Sequence, residues 1–82
     1  MATVNVSNQM CRPYVGDAQE LELEVDTVRA LIKELERRFP GLGTQVEESM
    51  AVAIDGVIVQ DTYLEPIGPD SEVFLIPKIA GG

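Results

Sequence analysis

The segment from Asp26 to Gly41, DTVRALIKELERRFPG, combines helical periodicity with signals for both of its ends. Asp26 or Thr27 can accept a backbone N–H bond in the first turn, and Pro40-Gly41 ends the pattern. The apolar residues follow the spacing i, i+3, i+4, i+7 and i+11 of one helix face: Val28, Leu31, Ile32, Leu35 and Phe39. The pattern therefore predicts an amphipathic helix whose apolar face has to be buried against another element.

Other segments have the character of β-strands, two before this helix and three after it. TVNVS and ELELEV alternate apolar and polar residues, and MAVAI, VIVQ and EVFLIPKI follow the helix. Asp55-Gly56, between MAVAI and VIVQ, is a strong signal for a two-residue hairpin turn. The first two strands should also form a hairpin, although their connection, which contains Gly16-Asp17, is longer than two residues.

Two connections after the helix have weaker patterns. Residues 42–49 are mostly polar and are expected to be irregular, with a short strand or a turn as the alternatives. DTYLEPIGPD contains two prolines and predicts a turn-rich connection, in which Tyr63, Leu64 and Ile67 fill the edge of the core.

One helix can cover only one face of the predicted sheet, so the opposite face is solvated or covered by something else. The last strand, EVFLIPKI, is apolar on both faces, which indicates a central position beside the first strand. Pro77 cannot donate to a strand ladder and indicates where regular pairing ends. The predicted fold class is α+β, with a mixed sheet of about five strands and one main helix packed on one face.

Composition limits the classes of function. The 82 residues suffice for a single domain over residues 1–82, and 45% of them are apolar. The net charge of −8 at pH 7 opposes binding to nucleic acid and to anionic lipid and favours a basic protein partner. No apolar run approaches the roughly 18 residues that span a bilayer, and the first residues lack a signal-peptide pattern. We therefore expect a cytoplasmic protein that does not bind membranes.

The last residues form the most specific motif. An apolar strand is broken by Pro77 and followed by KIAGG, which places Gly81 and Gly82 at the end. With the IDG hairpin, the PIGPDSEV connection and this diglycine, the whole chain resembles the MoaD/ThiS family of ubiquitin-like sulfur carriers. The resemblance implies a ubiquitin-like β-grasp fold with a flexible C-terminal tail at about residues 78–82.

The resemblance also implies a function as a protein cosubstrate and not as an enzyme. In this family an adenylyltransferase related to ubiquitin-activating enzymes transfers AMP from ATP to the terminal carboxylate, and sulfur then replaces AMP. Gly82 would carry the thiocarboxylate, with Gly81 as its required neighbour. The carrier itself would supply no catalytic residue. With no histidine and one cysteine it cannot form a Cys/His zinc site, and with no phosphate-cradling loop it should not bind ATP, which the partner enzyme uses.

The sulfur acceptor implied by the resemblance is a biosynthetic enzyme of molybdopterin, cysteine or thiamine type. The chain would serve it as a free carrier or as the non-catalytic small subunit of a sulfur-transferring synthase. Small subunits of molybdopterin synthase have an aromatic residue, a small residue and Leu-Arg soon after the first strand, whereas this sequence has NQMCRPYVG. Arg12-Pro13 followed by Gly16 is more similar to relatives that supply cysteine or other metabolites, so the pathway stays open.

The open sheet face predicts a docking surface for these partners. Phe74 and Ile76 should project from it beside Ala51 and Ala53, and apolar patches often mark protein interfaces. We call these four residues the sheet patch and add Lys78, the cation that begins the tail, as a further partner contact. The alternative is that the segments VEES or DTYLEPIG cover the sheet patch.

Other polar residues have simpler interpretations. The sequence contains no histidine, so Cys11 cannot form a Cys–His pair and is interpreted as an ordinary small residue. The acidic neighbours Glu47-Glu48, and likewise Asp70 and Glu72, are interpreted as solvated carboxylates. A basic row on the helix should be solvated and paired with nearby acids, with a contact to an acidic partner as the alternative. The row consists of Arg29, Lys33 and Arg37.

Two other functions share parts of this pattern. A ubiquitin-like protein modifier would use the same activation of Gly82 but end in an isopeptide bond to lysine, and sequence separates these two functions poorly. An acyl carrier protein is also small and acidic, but it needs a prosthetic-group serine at a helix start in an all-helical fold. Here Asp70-Ser71 precedes a predicted strand. The prediction is therefore a sulfur carrier, with a protein modifier as the alternative.

Overall fold

The computed structural model describes residues 1–59 and 65–77. These residues form a sheet and helices in the order β1 (Ala2–Asn5), α1 (Arg12–Val15), β2 (Glu20–Leu23), α2 (Val28–Arg38), α3 (Leu42–Ser49), β3 (Met50–Ile54), β4 (Val57–Val59) and β5 (Glu72–Pro77). The architecture confirms the predicted α+β class, a mixed sheet with its main helix on one face.

The last strand lies in the centre of the sheet, as predicted. The strand order is β2-β1-β5-β3-β4, with β5 parallel to β1 and antiparallel to β3. β1 and β2 pair antiparallel, with Ala2 opposite Leu23, which confirms the first predicted hairpin. Its long connection contains the short helix α1, which the sequence analysis did not predict.

Helix α2 closely matches its prediction. Of the two candidate caps, Thr27 is the one used: its side chain accepts a hydrogen bond from Ala30 N at 3.1 Å. The helix ends at Arg38, ahead of Pro40. Its buried residues are the predicted ones, Val28, Leu31, Ile32 and Leu35, and Phe39 packs against the core from just beyond the helix.

The expectation that residues 42–49 are irregular is wrong, because they form helix α3. Gly41 has a φ of 97°, a left-handed conformation that lets the chain turn sharply out of α2. Leu42 and Val46, spaced i and i+4, are both buried in the core. Two apolar residues gave too weak a period for the sequence to predict this helix.

The N-terminus of α3 is stabilised from the preceding helix. The Glu36 carboxylate accepts hydrogen bonds from Gly41 N at 2.9 Å and Thr44 N at 3.3 Å. These backbone bonds, chiefly the one from Gly41, lower the pKa of Glu36. Gly43 packs so closely on α2 that an added Cβ would lie 2.7 Å from Glu36 Cβ. The helix α3 therefore depends on tertiary contacts that have no local sequence signal.

The Asp55-Gly56 turn confirms the second predicted hairpin. Both residues have positive φ, 50° and 86°, as the tight turns between adjacent strands require. The Asp55 carboxylate accepts hydrogen bonds from Glu72 N at 2.9 Å and Ser71 Oγ at 3.1 Å. The turn is thereby tied to the start of β5.

The core lies between one face of the sheet and the helices. Strand residues alternate between this face and the opposite one, so Val4, Val52 and Val73 are buried. Ile67 is also buried, at 4% exposure, as predicted, whereas Tyr63 and Leu64 lie outside the described residues. Within residues 1–59 and 65–77, no helix is long and apolar enough to cross a membrane.

Candidate functional site

The structure brings the four residues of the sheet patch together on the sheet face opposite the helices. Ala51 lies opposite Ile76 and Ala53 opposite Phe74 in the register of β3 and β5, and directly opposed residues share a face. Phe74 is 41% exposed, and Ala53 in the same pair is only 5% exposed. Ala51 and Ile76 are half-buried. The predicted geometry is therefore present, while docking itself stays a prediction.

Ile58 belongs to the same surface and was missed by the sequence analysis. It lies opposite Ala53 on the other side of β3 and is 54% exposed. An apolar row thus crosses three strands, from Phe74 through Ala53 to Ile58. The Asp55-Gly56 turn contained the necessary signal, because a two-residue turn fixes the register and places Ile58 opposite Ala53.

The remaining half of this sheet face is polar and acidic. The register places Glu20 opposite Asn5 and Glu22 opposite Thr3 on β1 and β2. Thr3 in turn lies beside Glu72 of β5, which is exposed. The described strands contain no lysine or arginine. This face therefore presents apolar side chains bordered by negative charge.

The helix α3, which contains the VEES segment, packs into the core on the helical side. VEES therefore does not cover the sheet patch. In the DTYLEPIG segment, residues 61–64 lie outside the described residues, whereas Glu65 and Ile67 form backbone hydrogen bonds with Val28 and Asp26 at the start of α2.

Two residues of the sheet patch, Phe74 and Ile76, lie on the last described strand, close to its end. Pro77 still pairs with Met50, the first residue of β3. The residues predicted to react or to contact the partner beyond it, Lys78, Gly81 and Gly82, lie outside the described residues, as does the predicted tail over 78–82. Their roles stay predictions.

Cys11 has the environment of a core side chain. It is fully buried, and its Sγ lies 3.8 Å from Met50 Sδ. Burial raises the pKa of the thiol, against an opposing hydrogen bond with Asn8. A buried, protonated thiol is a poor nucleophile. No group of three metal-ligating side chains exists among the described residues.

The basic row on α2 is partly neutralised. Glu34 accepts hydrogen bonds from Arg37 Nη2 at 2.6 Å and from Arg38 Nε at 2.7 Å. These bonds, first from Arg37 and then from Arg38, lower the pKa of Glu34 to about 2. Arg29 and Lys33 are exposed on the same helix. This pattern agrees with a solvated helix surface.

The predicted carboxylate pairs are all exposed. Glu47 and Glu48 lie on the surface of α3, Asp70 precedes β5, and Glu72 is the first residue of that strand. Their exposure agrees with the simpler interpretation as surface carboxylates.

The strand order and the helix packed across the sheet define a ubiquitin-like β-grasp domain. Sequence comparison assigns it more narrowly. The model of the ThiS family matches residues 7–82, and the chain belongs to that family. No curated protein matches the chain.

Solved structures with low sequence identity share the whole fold. A chain of the Amycolatopsis orientalis BexX/CysO complex superposes with a TM-score of 0.82 at 21% identity, covering 100% of both chains. Mycobacterium tuberculosis CysO, an antigen, has a TM-score of 0.82 at 18% identity, covering 96% of this chain and 100% of that one. Small archaeal modifier protein 1 from Methanosarcina acetivorans has a TM-score of 0.78 at 19% identity, covering 99% of this chain and 95% of that one.

Proposed function

We propose that this protein is a sulfur carrier whose terminal carboxylate, at Gly82, is adenylated and then converted to a thiocarboxylate. The proposal rests on one observation: the ThiS family match extends through residue 82 and includes Gly81 and Gly82. The β-grasp fold supports it, because the fold is shared with CysO.

The chemistry requires an activated acyl group. A carboxylate with a pKa of about 3.3 to 3.7 is an anion at neutral pH and resists nucleophilic attack. Attack of the Gly82 carboxylate on the α-phosphorus of ATP expels pyrophosphate and forms an acyl adenylate. A sulfide-equivalent nucleophile then attacks the acyl carbon, the acyl C–O bond to AMP breaks, and AMP leaves. The product is the thiocarboxylate, whose sulfur is nucleophilic.

The glycines suit this chemistry for a steric reason. Neither Gly81 nor Gly82 has a Cβ, so an extended diglycine can pass through a narrow channel to the adenylating site. Ordering such a segment costs conformational entropy, which docking of the folded domain has to offset. The domain is therefore a cosubstrate, and the partner supplies the catalytic groups and binds the ATP.

The sheet patch, with Ile58 beside it, is the proposed docking surface. Its apolar row is bordered by Glu20, Glu22 and Glu72, and the whole chain has a net charge of −8 at pH 7. A partner surface that is apolar in the centre and basic at the rim is complementary to this arrangement. Lys78, the residue after Pro77 in the sequence, is proposed as a further contact with the partner.

Two kinds of partner follow from this function. One is an adenylyltransferase related to ubiquitin-activating enzymes, and the other is the biosynthetic enzyme that accepts the sulfur. CysO of Amycolatopsis orientalis forms a complex with BexX, which supports binding of this chain to a partner protein. We propose that the sulfur enters a biosynthetic pathway of cysteine, thiamine or molybdopterin type. We also propose that the protein is cytoplasmic.

A protein modifier is the second candidate, favoured by the shared fold with small archaeal modifier protein 1. It would use the same adenylate but transfer the acyl group of Gly82 to a lysine amine. The two functions therefore share the first step and differ in the nucleophile.

The first step is tested by ATP–pyrophosphate exchange with the adenylyltransferase of the native host. Exchange should depend on the added chain and disappear when Gly82 is deleted. Val57→Ala is the control, because Val57 is 66% exposed and lies far from the terminus in sequence. Undiminished exchange with the Gly82 deletion would refute the assignment of the reacting residue.

A further inference from the structure

Asn8, in the connection between β1 and α1, reaches across to the last strand. Its Nδ2 donates a hydrogen bond to the Leu75 carbonyl at 2.6 Å. Its Oδ1 accepts from Met10 N at 2.7 Å and from Cys11 N at 3.1 Å. The side-chain amide of Asn8 is part-buried, and both its nitrogen and its oxygen form hydrogen bonds, so its neighbours fix its orientation.

The contact with Leu75 occurs where the backbone ladder stops. The pairing of β1 with β5 extends to Asn5 opposite Phe74. Every second carbonyl from Ser71 onward along β5 faces β1, and the first of them, Ser71 O, accepts from Thr3 N at 3.1 Å. The Leu75 carbonyl is a later member of that series.

The donor that would continue the ladder is not directed at β5. Ser7 N donates instead to Asn5 Oδ1 at 3.1 Å. The Asn8 side chain therefore supplies the bond that the backbone of β1 no longer makes, and satisfies a carbonyl that the ladder leaves unpaired.

The same side chain also contacts the strand on the other side of β5. Asn8 Nδ2 lies 3.6 Å from the sulfur of Met50, and Met50 is the residue opposite Pro77. Pro77 has no N–H to contribute. The end of β5 is thus held between β3 on one side and Asn8 on the other.

We propose that Asn8 is a positioning residue for the reaction at Gly82: it fixes the end of β5 and thereby the direction in which the chain leaves the domain after Pro77. This inference rests on the proposed function. The partner binds the domain at the sheet patch, while the acyl group must reach one point in the adenylating site. An error in the exit direction therefore reduces the fraction of bound carriers that react.

This role separates Asn8 from the docking residues in kinetic terms. Loss of a docking contact raises KM for the carrier, because it weakens association. Loss of a positioning contact lowers kcat and leaves KM nearly unchanged, because docking persists while the terminus is misplaced.

Asn8→Asp keeps the accepting oxygen of the side chain and removes the donating Nδ2 group. A carboxylate still accepts from Met10 N and Cys11 N, but it places an oxygen without a proton against the Leu75 carbonyl. We expect kcat for adenylation to fall at least about tenfold while KM changes by less than about twofold, since a misplacement of about 1 Å at a reacting centre can cost about 100-fold. Asn8→Ser, which is neutral and too short to reach Leu75, should lower kcat in the same direction.

Amide hydrogen exchange gives a second readout that needs no enzyme. Exchange of the Ile76 amide should accelerate about tenfold in both variants, because loss of the hydrogen bond from Asn8 to Leu75 lowers the free energy of local opening by a corresponding amount. Exchange at Leu31, in α2, should not change. A folded Asn8→Asp or Asn8→Ser protein with wild-type kcat, or with a raised KM alone, would overturn the proposal.

Adenylation of the wild-type chain distinguishes failure of the proposed function from failure of the role of Asn8. If the wild-type chain is not adenylated, the proposed function fails and the role of Asn8 in it fails as well. If the wild-type chain is adenylated and either folded variant has the wild-type kcat, only the inference about Asn8 fails. Should Asn8→Asp not fold, Asn8→Ser decides the question.

Discussion

Truncation of Phe74 tests the docking surface quantitatively. Phe74 is 41% exposed, and a fully covered phenylalanine buries about 200 Å². Docking can therefore remove at most about 80 Å² of its surface from water, worth about 2 kcal/mol at about 25 cal/mol/Å². Because every 1.4 kcal/mol corresponds to about tenfold in affinity, Phe74→Ala should weaken binding to the adenylyltransferase by up to about thirtyfold.

The assay is titration calorimetry of the carrier into the adenylyltransferase, with circular dichroism to verify folding. Val57→Ala is the matched control, because Val57 is 66% exposed on β4 of the same sheet. It lies opposite Ile54, a buried residue, and so on the other face from the sheet patch. Val57→Ala should bind with the wild-type Kd.

Equal affinities for wild-type protein and a folded Phe74→Ala variant would refute the assignment of the sheet patch as the docking surface. Equal losses for Phe74→Ala and Val57→Ala would refute it as well, since they would indicate a nonspecific effect of removing exposed apolar area.

The connection between α2 and α3 gives two further predictions. The pKa of Glu36 is lowered in the folded protein, so the contribution of Glu36 to stability is present above the ordinary pKa of 4.5 and is lost as the pH falls through the lower folded value. Glu36→Gln should therefore lower the melting temperature at pH 7, and the difference in melting temperature between the variant and the wild type should become smaller at low pH. Gly43→Ala would place Cβ 2.7 Å from Glu36 Cβ and 2.8 Å from the Ile32 carbonyl, and should cost about 1–3 kcal/mol of unfolding free energy in urea titration. Wild-type stability of Gly43→Ala would show that the two helices pack less tightly than described.

The elements with strong local patterns were predictable from sequence. The start of α2, narrowed to a cap at Asp26 or Thr27, and the turn at Asp55-Gly56 follow from residues within one segment. The central position of β5 follows from its two-sided apolar character. The sheet patch followed from the same alternation, because the two faces of a strand are fixed once one of them is buried.

The features that were missed depend on contacts between segments. Helix α3 has only Leu42 and Val46 at helical spacing, and the acceptor for its first N–H groups comes from Glu36 in another helix. The bond from Asn8 to Leu75 joins residues 67 positions apart, and no local pattern indicates it. Ile58 differs, since its place beside Ala53 could have been derived from the predicted turn.

The proposed function is tested most directly by the mass of the C-terminal peptide. The chain is incubated with ATP, a sulfur source and the adenylyltransferase of its native host, and trypsin then cleaves after Lys78 to release residues 79–82. This peptide contains no methionine or cysteine, so oxidation of a sulfur side chain cannot imitate the exchange of one oxygen for sulfur. We predict that gain in mass, dependent on ATP. An unchanged peptide, with an enzyme active on another carrier, would contradict the sulfur-carrier function, and residues 79–82 joined to a lysine would identify a modifier instead.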